Sequence, residues 1–105
     1  FIFMEARTGQ TITENFMSLD ADNNPVPKAT FDIVSIKDGL VFTGLTVTTT
    51  ISDASRGLFY ASWSADTTGD YQIYIKNNDT NVIFITDTVN VLPDSSFDQN
   101  IYIGL

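Results

Sequence analysis

With 105 residues, 43% apolar and 12% aromatic, the chain is long enough to bury one core, and a net charge of −8 does not place it among disordered chains. It contains no cysteine and no histidine, which removes disulfides, thiolate nucleophiles, Ser-His and Cys-His dyads and the common zinc and iron–sulfur ligand sets. Thirteen acidic side chains face five scattered basic ones, Arg7, Lys28, Lys37, Arg56 and Lys76, which argues against a nucleic-acid partner, and no apolar run approaches the roughly 18–20 residues that span a bilayer.

β-Branched and aromatic residues dominate and strong helix formers are sparse, so the chain reads as all-β. Thr11 to Asp20 is the first predicted strand, followed by the polar turn Ala21-Asp22-Asn23-Asn24-Pro25 and by Val26-Pro27, which suits an edge or linker. Thr30 to Lys37 is the second, with Phe31 and Ile33 on one face and Val34 and Ile36 on the other. Two apolar faces predict a bulge or burial on both sides. Asp38-Gly39 signals a hairpin turn, so Leu40 onward should pair back, and Gly44 should bend the returning chain. From Leu45 to Ile51 the alternation predicts a half-buried strand, with Leu45, Val47, Thr49 and Ile51 opposite a threonine face of Thr46, Thr48 and Thr50.

After the turn Ser52 to Gly57, the strand Leu58 to Ser64 places Phe59, Ala61 and Trp63 together on an inward face. A polar loop from Ala65 to Asp70 leads into Tyr71 to Lys76, where Tyr71, Ile73 and Ile75 alternate with Gln72, Tyr74 and Lys76. Asn77 to Asn81 is another turn. The run Val82 to Leu92 puts Ile83, Ile85, Val89 and Val91 on one face, interrupted by Asp87, and Ile101 to Ile103 close the chain after a linker from Pro93 to Asn100. About seven strands at roughly 8–12-residue spacing, with no intervening helix, predict an immunoglobulin-like β-sandwich of antiparallel strands. It forms one domain over residues 1–105, with a core over about 11–92 and apolar end segments 1–6 and 100–105.

Several short strings carry a resemblance: Asp22-Asn23-Asn24-Pro25-Val26, Ala29-Thr30-Phe31, Asp38-Gly39, Gly57-Leu58-Phe59-Tyr60 and Gly69-Asp70-Tyr71. In this order they resemble immunoglobulin-like and transthyretin-like β-sandwich domains of surface and virion proteins, over about residues 11–92. Tyr71 stands where such sandwiches carry a tyrosine corner. A short acidic cysteine-free domain ending in Asp87-Thr88-Val89-Asn90-Val91 is further similar to small accessory domains of tailed-phage particles. That resemblance implies a non-enzymatic structural role in capsid decoration or in the neck or tail, in a symmetric multi-copy assembly with other virion proteins.

The candidate sites are few. Asp20-x-Asp22-x-Asn24 has the alternate oxygens of a calcium loop, but Pro25 stands where an EF-hand needs glycine and Phe31 where it needs glutamate, so turn chemistry is the better reading. Glu5 and Glu14 near the N-terminus, with aspartates mostly in turns, make no convincing glycosidase pair. Asp87 interrupts an apolar alternation and is read as a strand bend or a solvent-facing residue. Tyr60, Tyr74 and Phe84, opposite Trp63 and Tyr71, could offer an exposed aromatic platform to carbohydrate. The ends are apolar where free termini are usually polar, so Phe1, Phe3, Ile101, Tyr102 and Ile103 are read as assembly contacts, as edge strands of their own sandwich, or as both by strand addition.

These readings lead to a virion structural module without enzymatic activity, cofactor or metal, the alternative being an adhesion or carbohydrate-binding module on a bacterial surface. Added zinc, calcium or magnesium should leave the thermal transition where it is, because a ligand of the native state would have to raise it. A reproducible, stoichiometric shift in millimolar calcium would point back to the Asp20–Asn24 turn.

Overall fold

The structure is a computed structural model in which residues 3–93 are described. Two sheets pack face to face. The larger contains β1 (Phe3–Arg7), β3 (Phe31–Lys37), β4 (Leu40–Val41), β7 (Gly69–Asn77), β8 (Ile83–Ile85) and β9 (Thr88–Leu92), in the order β1-β9-β7-β3-β4, with β8 also on β7. The smaller contains β2 (Ile12–Met17), β5 (Thr48–Asp53) and β6 (Leu58–Trp63), in the order β2-β6-β5. Every pairing is antiparallel except β1 with β9, where Phe3 lies opposite Thr88 and Arg7 opposite Leu92.

Alternation decides what each strand buries. β6 sends Phe59, Ala61 and Trp63 inward, and β7 sends Tyr71, Ile73 and Ile75 inward, as their sequence pattern predicts. Phe16 of β2 stacks on Phe59 with centroids 5.7 Å apart and meets Phe31 of β3 edge-on at 5.2 Å, so one aromatic cluster joins the sheets. Trp63 lies tilted against Tyr71 at 5.5 Å. Each such pair adds about 0.5–1.5 kcal/mol beyond the area it buries. Leu45 and Val47 pack on this core from the irregular chain that carries β4 across to the smaller sheet, so the predicted strand starts only at Thr48.

Hydrogen bonds pin the connections. The Tyr71 hydroxyl donates to the Thr67 carbonyl at 2.9 Å, completing the tyrosine corner. Asp38, at φ 51° ahead of Gly39 at φ 85°, makes the tight turn between β3 and β4. Its amide donates to the Asp70 carbonyl and its Oδ1 accepts from the Asp70 amide, fixing that turn to the start of β7. The Asn77 side-chain Nδ2 donates to Ser18 Oγ at 2.8 Å, and Ser18 Oγ donates to the Val26 carbonyl, which satisfies polar groups buried between the sheets. Gly57, at φ 64°, closes the turn after β5. A side chain there would collide with the Ser18 carbonyl.

Two expectations are corrected by the register. β3 pairs with β7 without a break from Phe31–Asn77 to Lys37–Tyr71, so it has no bulge, and Val34 is exposed rather than buried. In the larger sheet the register shifts instead between β8 and β9. Tyr74 is opposite Ile85 and Tyr71 is opposite Val89, which leaves one residue more on the β8–β9 side. Ile83, Ile85, Val89 and Val91 therefore do not share a face: Val89 and Val91 are buried, whereas Ile83 and Ile85 are 56% and 47% exposed and Phe84 turns toward the core. Thr86 makes this shift tolerable. Its amide donates to the Ile73 carbonyl at 3.0 Å, and its hydroxyl accepts from the Ile73 amide at 3.0 Å in place of a strand carbonyl.

One inward position is a carboxylate. Glu14 lies between Ile12 and Phe16 on the core-facing side of β2, and its Oε1 is buried without a hydrogen-bond partner, as is the Trp63 indole nitrogen. Burial, and then the negative charge of Asp87, raise the Glu14 pKa above 4.5.

Trp63→Ala should cost about 3–5 kcal/mol, read from chemical denaturation, since it removes the largest inward side chain of β6. An unchanged midpoint would mean that β6 faces the other way. For Glu14, the folded state holds a proton more tightly than the unfolded state. The resulting stabilisation is complete below the unfolded-state pKa and is lost as pH rises through the higher folded-state value. Glu14→Gln should therefore raise the midpoint at neutral pH and flatten its decline above about pH 4.5. A lower midpoint at neutral pH would show instead that the ionised carboxylate is stabilising.

Candidate interaction surface

The registers assemble a surface that no single strand displays. Val34 of β3 lies directly opposite Tyr74 of β7, and Tyr74 directly opposite Ile85 of β8. Because Ile33, Ile75 and Phe84 turn inward, this row of three faces solvent. The next row is Asp32, Lys76 and Ile83, and on the other side Ile36 stands between Val41 and Gln72. The result is an apolar outer face with one acidic and one basic residue side by side. Among the described residues Lys76 forms no ion pair, and Asp32 accepts only a hydrogen bond from the Asn78 side chain at 3.2 Å.

Beside this face the sheet edge is notched. β4 ends at Val41, the Phe42 amide donates to the Ser35 carbonyl at 2.9 Å, and the chain then leaves the sheet. No strand covers the outer edge of β3 from Phe31 to Val34 among the described residues. A recess of about 360 Å³ opens there, lined by Val34, Val41, Phe42, Thr43 and Leu45 among others. Lys37 supports its inner end, with its ammonium 5.1 Å from the Phe42 ring centroid and donating to Thr67 Oγ1 at 3.0 Å.

The other candidates are dispersed. Asp20 Oδ1 accepts from the amides of Asp22 and Asn24, both at 2.9 Å, so its carboxylate serves its own turn. Among the described residues no group of three or more acidic side chains could hold a metal ion. Trp63 is in the core, Phe84 turns inward, and Tyr60 and Tyr74 lie on the outer faces of different sheets, so these aromatics share no platform. Asp87 is exposed at the irregularity between β8 and β9. Asp53 caps the turn after β5, and hydrogen bonding to Ser55 holds its pKa below 3.8. Thr46, Thr48 and Thr50 face solvent. Phe3 opens β1 opposite Thr88, which makes its backbone part of the domain's own sheet, while Phe1, Ile101, Tyr102 and Ile103 lie outside the described residues.

Two features escaped the sequence reading. Glu14 is given no inward role there, although the alternation Ile12-x-Glu14-x-Phe16 marks it as inward. The surface row needs residues from three strands in register, and its sequence trace is the doubled apolar faces of Phe31–Ile36 and of Val82–Ile85.

No family model matches the chain, and no curated protein matches it in sequence. Among solved structures it is similar to the crystal structure of the Lin-41 filamin domain, with a TM-score of 0.63 and 19% identity over 86% of this chain and 84% of that one. At that identity the likeness speaks to architecture, and it agrees with the two packed sheets and the tyrosine corner: the chain is an immunoglobulin-like β-sandwich domain.

Proposed function

We propose that this domain is a non-enzymatic protein-interaction module, and specifically a structural module of a virus particle, in tailed-phage capsid decoration or in a neck or tail accessory protein. The observation that carries the interaction reading is the uncovered apolar face of Val34, Tyr74, Ile83 and Ile85 on the larger sheet. Single exposed apolar side chains are ordinary, but a contiguous patch with a polar rim marks a contact surface. The virion reading draws on the similarity of a short acidic cysteine-free domain ending in Asp87-Thr88-Val89-Asn90-Val91 to small accessory domains of tailed-phage particles.

Mass spectrometry of purified particles from the source should find the chain at a fixed copy number relative to the other structural proteins, and Ile85→Lys should remove it from the particle while leaving the isolated domain folded. Absence from particles would overturn the virion reading. Retention of the variant would overturn the contact face, and a glycan-array signal lost on Tyr74→Ala would favour a bacterial surface module instead.

A further inference from the structure

We infer that the outer face of the larger sheet is a self-association surface, on which a second copy of this chain packs about a twofold axis. The inference rests on reading the domain as an interaction module and names the partner. Its basis is self-complementarity. A twofold axis parallel to the strands, running between β3 and β7, exchanges the two strands across the interface. Val34 of each copy then lies over Tyr74 of the second copy, and Asp32 over Lys76 of the second copy, because these residues are direct cross-strand neighbours. β8, one strand beyond β7, lands one strand beyond β3. That is where β4 has stopped and the recess of about 360 Å³ opens, so Ile85 of each copy sits over the recess of the second copy.

Charge argues for the same partner. A chain of net charge −8 repels its own copies, so self-association needs local compensation. Lys76 supplies it: it has no ion pair within its own chain among the described residues, and the twofold arrangement gives it a carboxylate across the interface twice over. Another acidic protein could use Lys76 but would leave Asp32 facing like charge. A second copy satisfies both. Val34, Val41, Tyr74, Ile83 and Ile85 are all exposed on or beside this face, where a standard interface covers about 800 Å² of each partner. Two sheet faces also pack naturally with their strands within about 30° of one another.

The test is sedimentation equilibrium of the whole 105-residue chain over a concentration series at low salt, with denaturation midpoints measured alongside. The wild type should pass reversibly from a monomer of 11.6 kDa to a dimer, and Ile85→Lys should weaken association at least about tenfold with its midpoint unchanged. Asp32→Lys and Lys76→Asp should each weaken it, since each places like charges face to face, and an equimolar mixture of the two variants should restore it. The mixture needs no apolar substitution, so it decides the matter even if Ile85→Lys folds poorly. A wild type that stays monomeric to about millimolar concentration would overturn the self-association surface while leaving incorporation into a larger assembly to stand or fall separately. A dimer indifferent to Ile85→Lys and not restored by mixing would overturn the face.

Discussion

The extra residue between β8 and β9 decides which side chains the last part of the sandwich buries. Upstream of it Phe84 and Thr86 point inward; downstream Val89 and Val91 do. Without that residue, a strand that buried Val89 and Val91 would also turn Ile83 and Ile85 toward the core and Phe84 outward. The shift would ordinarily leave a backbone amide of β7 without an acceptor, at a cost of about 1–3 kcal/mol. The Thr86 hydroxyl takes that role for Ile73, so the irregularity is built into the sheet. Its consequence is that Ile85 joins Val34 and Tyr74 in an outward row of apolar side chains across three strands.

That row is held by a well-determined interior. β7 is the spine of the larger sheet, pairing with β3 along its length, with β9 at its start and with β8 near its end. Tyr71, Ile73 and Ile75 are almost wholly buried beneath it. Tyr71 also locks the loop before β7 through its bond to Thr67, and the Asp38–Asp70 pair ties the β3–β4 turn to the same point. Tyr74 and Val34 are thus carried on neighbouring strands whose register the core fixes, which is the condition for a surface to present fixed geometry to a partner. Glu14 and the Trp63 indole nitrogen are the exceptions to a satisfied interior among the described residues. The fold accepts an inward carboxylate with a buried oxygen unpaired, and Asp87 at the irregularity adds to its cost.

Much of the architecture was legible because strict alternation leaves little choice of face. Phe59-x-Ala61-x-Trp63 and Tyr71-x-Ile73-x-Ile75 read directly as inward rows, and Asp38-Gly39 reads as a turn. Val82-Ile83-Phe84-Ile85 did not, because an uninterrupted apolar run has no parity, and the regular spacing of Ile83, Ile85, Val89 and Val91 suggested one face where a shift makes two. β1 was legible as one of the alternative readings of the apolar N-terminal segment, an edge strand of its own sandwich, but its parallel partner β9 lies at the far end of the chain, a pairing with no local signature. Val34 and Ile36 were visible as a second apolar face of their strand. Their meaning depended on Tyr74 and Ile85 standing beside them, which only register reveals.

The absence of cysteine makes the reversal of faces directly measurable, because any introduced thiol is the only one in the chain. The rate of thiol modification under native conditions, at concentrations where the chain is monomeric, would be compared for Ile83→Cys, Phe84→Cys, Ile85→Cys and Val89→Cys. The extra residue predicts rapid modification at positions 83 and 85 and protection at 84 and 89. Protection at 83, 85 and 89 together, with rapid modification at 84, would show an uninterrupted strand and contradict the outward apolar row.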